Sequence, residues 1–221
     1  MQVQTLNLYD VECPTPASSH HLVESLCSMP NLTNLTLVRK INDELCSALK
    51  AKASSIKVQT LKLDYVECPT QASSQHLVEA LCSLPNLTNL TLKWKINDEL
   101  CFALKAKASS IQVQTLKLDY VKCPTQASSQ HLVEALCSLP NLTNLTLKWK
   151  INDELCFALK AKASSIQDCF PQIRKGNFRF NGVAQDDLNS FLHTLPYLEW
   201  FNDVNCSSDS ANLGNSNGSD N

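Results

Sequence analysis

The sequence predicts an α/β solenoid, with parallel strands on the concave face of a horseshoe arc and helices on the convex face. Three observations predict it. First, residues 3–57, 58–112 and 113–167 are three copies of one 55-residue unit. The second and third copies differ only at Glu67 against Lys122, and the first and second differ at 11 of 55 positions. A fixed period in this range is the mark of stacked repeat architectures. Second, each copy splits into two halves, each with leucines in strict alternation; in the third copy they start at Val113 and Leu142. Third, each alternating stretch is followed by apolar residues at helical spacing. No half can bury its apolar face alone, so the halves must stack.

The longer half opens on Val113-Gln-Thr-Leu116-Lys-Leu118-Asp-Tyr-Val121-Lys-Cys123. Leu116 and Leu118 fall on one face of a short strand, and the residues between them point the other way. The strand is followed by Ser128 to Cys137, where Leu132, Ala135, Leu136 and Leu139 recur at helical spacing. Ser128 or Ser129 is the expected cap, and Pro140 ends the helix. In the shorter half Leu145 and Leu147 repeat the strand pattern. Asn152 is then the expected N-cap of a helix over 153–162, whose opening acids and closing lysines suit its macrodipole. Six such half-units fill residues 1–167.

Residues 168–201 read as a degenerate closing unit or cap. Phe178-Arg179-Phe180 replaces the strand, and 186–196 aligns with the helix ending at Pro140. Leu198 to Phe201 starts a last strand or covers the end. Residues 202–221 are mostly Asn, Ser, Asp and Gly, and are expected to be a disordered polar tail.

Composition narrows the function. Nineteen Lys and Arg stand against 21 Asp and Glu, a net charge of -2, without the basic excess of a general nucleic-acid binder. The four glycines, Gly176, Gly182, Gly214 and Gly218, all lie near the C-terminal end. Phosphate-cradling loops need glycine for close backbone approach, so residues 1–175 hold none of the familiar types. No apolar run reaches the length of a membrane span, and no signal-peptide pattern opens the chain. Eleven cysteines, an odd number, cannot all pair within the chain, and reduced thiols in a cytoplasmic protein are expected.

The alternating long and short units carry the L-x-x-L-x-L pattern of leucine-rich repeats and resemble the ribonuclease-inhibitor type. The strings Leu-Val-Glu-Ala-Leu-Cys-Ser-Leu-Pro-Asn-Leu-Thr-Asn-Leu-Thr-Leu (132–147) and Leu-Lys-Ala-Lys-Ala-Ser-Ser-Ile-Gln (159–167) are closer still to the C-terminal repeats of animal NLR (NACHT-LRR) receptors. The resemblance covers about nine tenths of the chain. It implies a cytosolic arc used for ligand recognition or autoinhibition: the recognition region, or a fragment, of an innate immune sensor. The alternative it leaves open is a free-standing scaffold or inhibitor, similar in kind to ribonuclease inhibitor. In such receptors a nucleotide-binding domain and a signalling domain precede the repeats, and the sequence at hand carries neither.

Two departures from the family pattern stand out. The asparagine that usually follows the strand is replaced by Val11, Val66 and Val121 in the long halves and by Lys40, Lys95 and Lys150 in the short ones. Met1 also runs almost directly into a repeat strand without a cap. A bare strand edge is expected to be covered by a partner or by self-association.

The outward residues of the strands are the candidate binding face: Thr60, Lys62, Asp64, Tyr65, Asn89, Thr91, Lys93 and Trp94, then Thr115, Lys117, Asp119, Tyr120, Asn144, Thr146, Lys148 and Trp149. Strands about 4.8 Å apart line these into ladders. Tyr, Trp and Lys side by side suit a protein surface or an acidic peptide, because aromatic residues anchor interfaces. An ordinary solvated strand face, multiplied by duplication, is the competing reading. Cys13, Cys68 and Cys123 stand where the motif takes leucine and read as core. With Cys27, Cys46, Cys82, Cys101, Cys137 and Cys156 they form no C-x-x-C pair, so no metal is expected; Cys169 and Cys206 have no assigned place. His20, His21, His76, His131 and His193 have no nucleophile and acid beside them in sequence, so neither an enzyme nor a cofactor is expected. Asn31 and Asn34 each begin an N-x-T match that arises from the strand motif itself. The lysines at 93, 95, 148 and 150 suit phosphates, but Asp64 and Asp119 interrupt them, so a protein or peptide is the expected partner rather than nucleic acid.

Overall fold

Paired leucines set every strand of the repeat. A computed structural model describes residues 3–9, 13, 15–38, 41–65, 68–150, 158, 172–181, 192, 195, 197–202 and 204–205. In chain order the elements are β1 (Thr5–Tyr9), α1 (Pro16–Cys27), β2 (Asn34–Val38), α2 (Asp43–Lys52), β3 (Thr60–Asp64), α3 (Gln71–Ser83) and β4 (Asn89–Lys95). They continue with α4 (Asp98–Lys107), β5 (Thr115–Lys122), α5 (Gln126–Cys137), β6 (Asn144–Lys150), β7 (Lys175–Asn181), β8 (Trp200–Phe201) and β9 (Val204–Asn205). The strands form one sheet in chain order. Pairing is parallel from β1 through β8, and β9 returns antiparallel to β8. The fold is therefore the α/β solenoid that the repeat predicts.

Register follows the motif. Leu35, Leu61, Leu90, Leu116 and Leu145 stand opposite one another along the sheet, as do Leu37, Leu63, Leu92, Leu118 and Leu147. All ten are buried. A slip of one residue would turn every one of them out to solvent, so burial locks the register. The helices close the other side with Leu45, Leu49, Leu77, Leu81, Leu100 and Leu136, each buried. At the first edge, Leu6 and Leu8 of β1 are only half-buried, because strand neighbours cover them from one side.

The helix caps refine the sequence reading. The long-half helices start three residues earlier than a Ser128 or Ser129 cap implies. Thr125 is the N-cap: its hydroxyl accepts the Ser128 N–H at 3.1 Å, while the Thr125 N–H donates to the Ser128 hydroxyl at 3.0 Å. This reciprocal box recurs at Thr15 with Ser18 and at Thr70 with Ser73. Serine at the third helical position plays the part usually taken by Glu or Gln.

In the short halves the cap is the expected asparagine, and it has a second role. Asn42 Oδ1 accepts the Leu45 N–H at 3.0 Å, and Asn97 Oδ1 accepts the Leu100 N–H at 3.1 Å. Asn42 Nδ2 donates to the Cys13 carbonyl at 2.5 Å, and Asn97 Nδ2 donates to the Cys68 carbonyl at 2.7 Å. The residue that replaces the customary asparagine therefore does not leave the turn without a side-chain amide. Two positions further on, Asn42 and Asn97 satisfy a backbone carbonyl of the preceding half-unit.

The closing unit is irregular for a visible reason. β7 spans Lys175–Asn181, longer than the Phe178–Phe180 core expected of it. Gly176 stands opposite Leu145. A Cβ there would run into the Phe178 ring and lie 3.1 Å from Leu198. The ring takes the space a leucine fills in the regular units, and Phe178 is buried. Trp200 and Phe201 form the last parallel strand, as expected of residues 198–201. Residues 202, 204 and 205, within the stretch expected to be tail, are placed against the closing unit. Asn202 adopts a left-handed backbone (φ 48°), its N–H donates to the Gly176 carbonyl at 2.9 Å, and its Oδ1 accepts the Phe178 N–H at 2.8 Å. β9 follows directly. Residues 206–221 and most of the helices expected over 153–162 and 186–196 lie outside the described residues, as does the Asn152 cap.

Replacing Asn97 tests the double role. Asn97→Ala removes both the cap and the bond to Cys68, and is expected to cost about 1–3 kcal/mol. Asn97→Asp keeps the cap acceptor and loses only the donor, so urea denaturation should place it between wild type and Asn97→Ala. Equal losses in the two variants would show that the cap contributes nothing.

Candidate functional site

Strand alternation places the candidate residues in three rows across the sheet. The first row runs Thr5, Asn34, Thr60, Asn89, Thr115, Asn144, Lys175. Its asparagines donate along the row: Asn34 Nδ2 to Thr5 Oγ1 at 3.3 Å, Asn89 Nδ2 to Thr60 Oγ1 at 3.4 Å, and Asn144 Nδ2 to Thr115 Oγ1 at 3.2 Å. Asn34, which begins an N-x-T match, is thus part of a ladder. The second row is Asn7, Thr36, Lys62, Thr91, Lys117, Thr146, Asn177, and the third is Tyr9, Val38, Asp64, Lys93, Asp119, Lys148, Arg179. The lysines of both rows are partly exposed at 62, 93, 117 and 148, while the leucines between them are buried.

The charges are not scattered. Asp64 Oδ2 lies 3.1 Å from Lys62 Nζ and 3.7 Å from Lys93 Nζ, and Asp119 Oδ2 lies 3.7 Å from Lys117 Nζ. The carboxylates are sunk, with side chains 12% and 14% exposed, whereas Lys62 and Lys117 are 38% and 37% exposed. Lysine and aspartate two apart in a strand point the same way, so the K-L-D spacing of each copy fixes this pairing. Lys95, Lys122 and Lys150 end β4, β5 and β6, with Lys95 opposite Lys122 across a register shift.

The aromatic candidates separate. Tyr65 lies just past β3, in left-handed backbone (φ 57°), with its N–H donating to the Lys93 carbonyl at 3.2 Å and its side chain 48% exposed. A tyrosine held there is strained by roughly 1 kcal/mol or more. The duplicate Tyr120 stays within the longer β5. Trp94 and Trp149 lie in the final residues of β4 and β6. Near-identical copies thus end their strands differently.

Outside this face, the described cysteines are buried or half-buried. Cys13, Cys68 and Cys123 are buried, as their leucine positions require. Two of them meet a second buried thiol: Cys68 hydrogen-bonds with Cys46 of α2, and Cys123 with Cys101 of α4. This mutual bond and burial hold the Cys46 and Cys101 thiols protonated, far above the ordinary range. Sequence spacing gave no hint of the pairing, because the partners lie on different elements of successive half-units. Cys27, Cys82 and Cys137 are half-buried. Burial raises the Cys27 and Cys82 thiols, against the lowering pull of Lys52 and Lys107. Cys156, Cys169, Cys206 and His193 lie outside the described residues.

His131 packs edge-on against Phe102, with ring centroids 5.5 Å apart, and His76 is half-buried in the equivalent place. His21 lies 3.7 Å from Glu24 on an exposed turn of α1. Two apolar pockets between sheet and helices repeat with the copies, one beside Leu37, Leu49 and Leu77, the other beside Leu92, Leu104 and Leu132. Among the described residues no group of three or more His, Cys, Asp and Glu is placed to hold a metal, and no helix is long and apolar enough to cross a membrane.

Compared with known proteins, the chain matches no family model and no curated relative.

Thiol accessibility can be read by alkylation. Iodoacetamide with mass spectrometry should label Cys46, Cys68, Cys101 and Cys123 only after denaturation. Cys27 and Cys82 should react slowly near neutral pH. Their raised thiols need a pH above the ordinary thiol range to form thiolate, and the thiolate is the nucleophile. Rapid labelling of Cys46 or Cys101 in the native protein would contradict the paired, buried arrangement.

Proposed function

We propose that this chain is a protein-binding leucine-rich-repeat arc whose outward strand face is the contact surface. The single observation that carries this reading is the regular polar face itself. Across β3 to β6, half-exposed Thr, Asn and Lys side chains alternate with buried leucines, while the helices pack on the leucine side. Such a face is rigid, because the same leucines fix its register, and rigid presentation lowers the ordering cost of binding. Within this reading, the resemblance of the repeats favours the recognition region of an NLR-like innate immune sensor in the cytoplasm. A free-standing scaffold or inhibitor is the alternative. Binding, not catalysis, is the proposed activity: the described cysteines are buried or half-buried, and His131 packs against Phe102.

Photo-crosslinking tests the main reading. A benzophenone amino acid at Thr91 or Thr146 should yield protein adducts in cells, and the same group at Glu99, exposed on α4, should not. Combining Thr91→Arg with Thr146→Arg, which adds bulk to the outward row, should weaken capture by about tenfold or more, with an unchanged melting temperature. Adducts from Glu99 alone, or capture indifferent to the double substitution, would overturn the strand-face reading.

A further inference from the structure

We infer that the strand face from β3 to β6 takes an acidic segment of a protein partner. This rests on the strand-face reading and specifies the chemistry of what binds. Among the described side chains of the second and third rows, four lysines face outward here, Lys62, Lys93, Lys117 and Lys148, against two carboxylates, Asp64 and Asp119. The whole chain carries a net charge of -2, so the strip is positive on a protein that is acidic elsewhere. Segregation of that kind steers an oppositely charged partner to one face.

Depth sharpens the sign. The two aspartates lie low, and their lysines stand higher and more exposed. A partner therefore meets ammonium groups first. The carboxylates hold those groups in place: Asp64 reaches Lys62 along its own strand and Lys93 on the next. Fixing a flexible lysine in advance removes part of the side-chain entropy that binding would otherwise cost. Lys62 and Lys117 are two strands apart in one row, about 10 Å, and Thr91 between them offers a neutral hydroxyl. The first copy has no equivalent charge at the matching positions, where Asn7, Thr36 and Val38 stand. The strip is therefore confined to the later copies.

A protein segment fits better than nucleic acid. A polynucleotide sets a phosphate at every nucleotide and would force some of them against Asp64 and Asp119. A polypeptide can place Glu or Asp over the lysines and a neutral residue over each aspartate. The Thr and Asn ladder beside the lysines offers neutral donors and acceptors for its backbone, and exposed Tyr65 an apolar contact.

The test is fluorescence anisotropy of the full chain with a labelled Glu-rich peptide, a Lys-rich peptide and single-stranded poly(U), each over a salt series. The Glu-rich peptide should bind, lose affinity as salt rises, and outbind both other probes. Lys93→Glu combined with Lys148→Glu should weaken it by about tenfold or more. Lys93→Gln combined with Lys148→Gln preserves side-chain length and should weaken it less; melting curves confirm that each variant is folded. Absence of binding at low salt, affinity indifferent to the charge reversal, or tighter binding of poly(U) would each overturn the proposal. If Thr91 and Thr146 still crosslink to protein while the Glu-rich peptide fails to bind, the strand-face reading survives and the acidic-partner inference falls. If the crosslinks fail as well, both fall.

Discussion

A half-unit of this chain has no interior of its own. Two leucines on a short strand and a few apolar residues on a helix become a core only when the next half-unit covers them. Every other feature depends on that constraint. It sets the parallel order β1 to β8, since each strand must return to the same edge after its helix. It fixes the register, because Leu61 or Leu63 can stay buried only opposite Leu90 or Leu92. Once the leucines are fixed, the residues between them have nowhere to go but outward. Core and candidate surface are two consequences of one alternation.

The short half-unit does most of the joining. Asn42 and Asn97 reach back to a carbonyl of the preceding long half. From the same helices, Asp43 accepts a hydrogen bond from Thr70 and Asp98 one from Thr125, both at 2.9 Å. Lys50 pairs with Glu79 and Lys105 with Glu134, each at 2.6 Å. The Lys50 ammonium holds the Glu79 carboxyl below its ordinary range. These side chains are substantially exposed, so each ion pair adds little by itself. Duplication copied the whole set, which is why the joints between units recur as faithfully as the units do.

Much of this was legible in the sequence. Period two at Leu116 and Leu118 gave the strands, helical spacing at Leu132, Ala135 and Leu136 gave the helices, and leucine-equivalent positions gave Cys68 and Cys123 as core. What was not legible needed three-dimensional neighbours. Thr125 and Ser128 both satisfy cap preferences, and only the reciprocal hydrogen bonds decide between them. Asn97 reads as a cap, but nothing in the chain says that its amide spans 29 residues to Cys68. The Cys46–Cys68 contact joins two elements that no motif connects. Nothing in the chain shows that Gly176 stands opposite Leu145 with the Phe178 ring against it. At the candidate site, the rows through Lys62, Lys93, Lys117 and Lys148 were legible, but the depth of Asp64 beneath Lys62 and Lys93 was not, and that depth determines which charge a partner meets.

The most direct test of the account is amide hydrogen exchange on the intact chain, read by mass spectrometry of overlapping fragments. Stacking without independent units predicts that β3, β4 and β5 share the slowest exchange and a common response to mild denaturant, with protection falling toward the half-covered β1. If instead each 55-residue copy opened alone at its own rate, with protection lost at the boundaries 57–58 and 112–113, the copies would be separate domains. A single continuous strand face could then not exist.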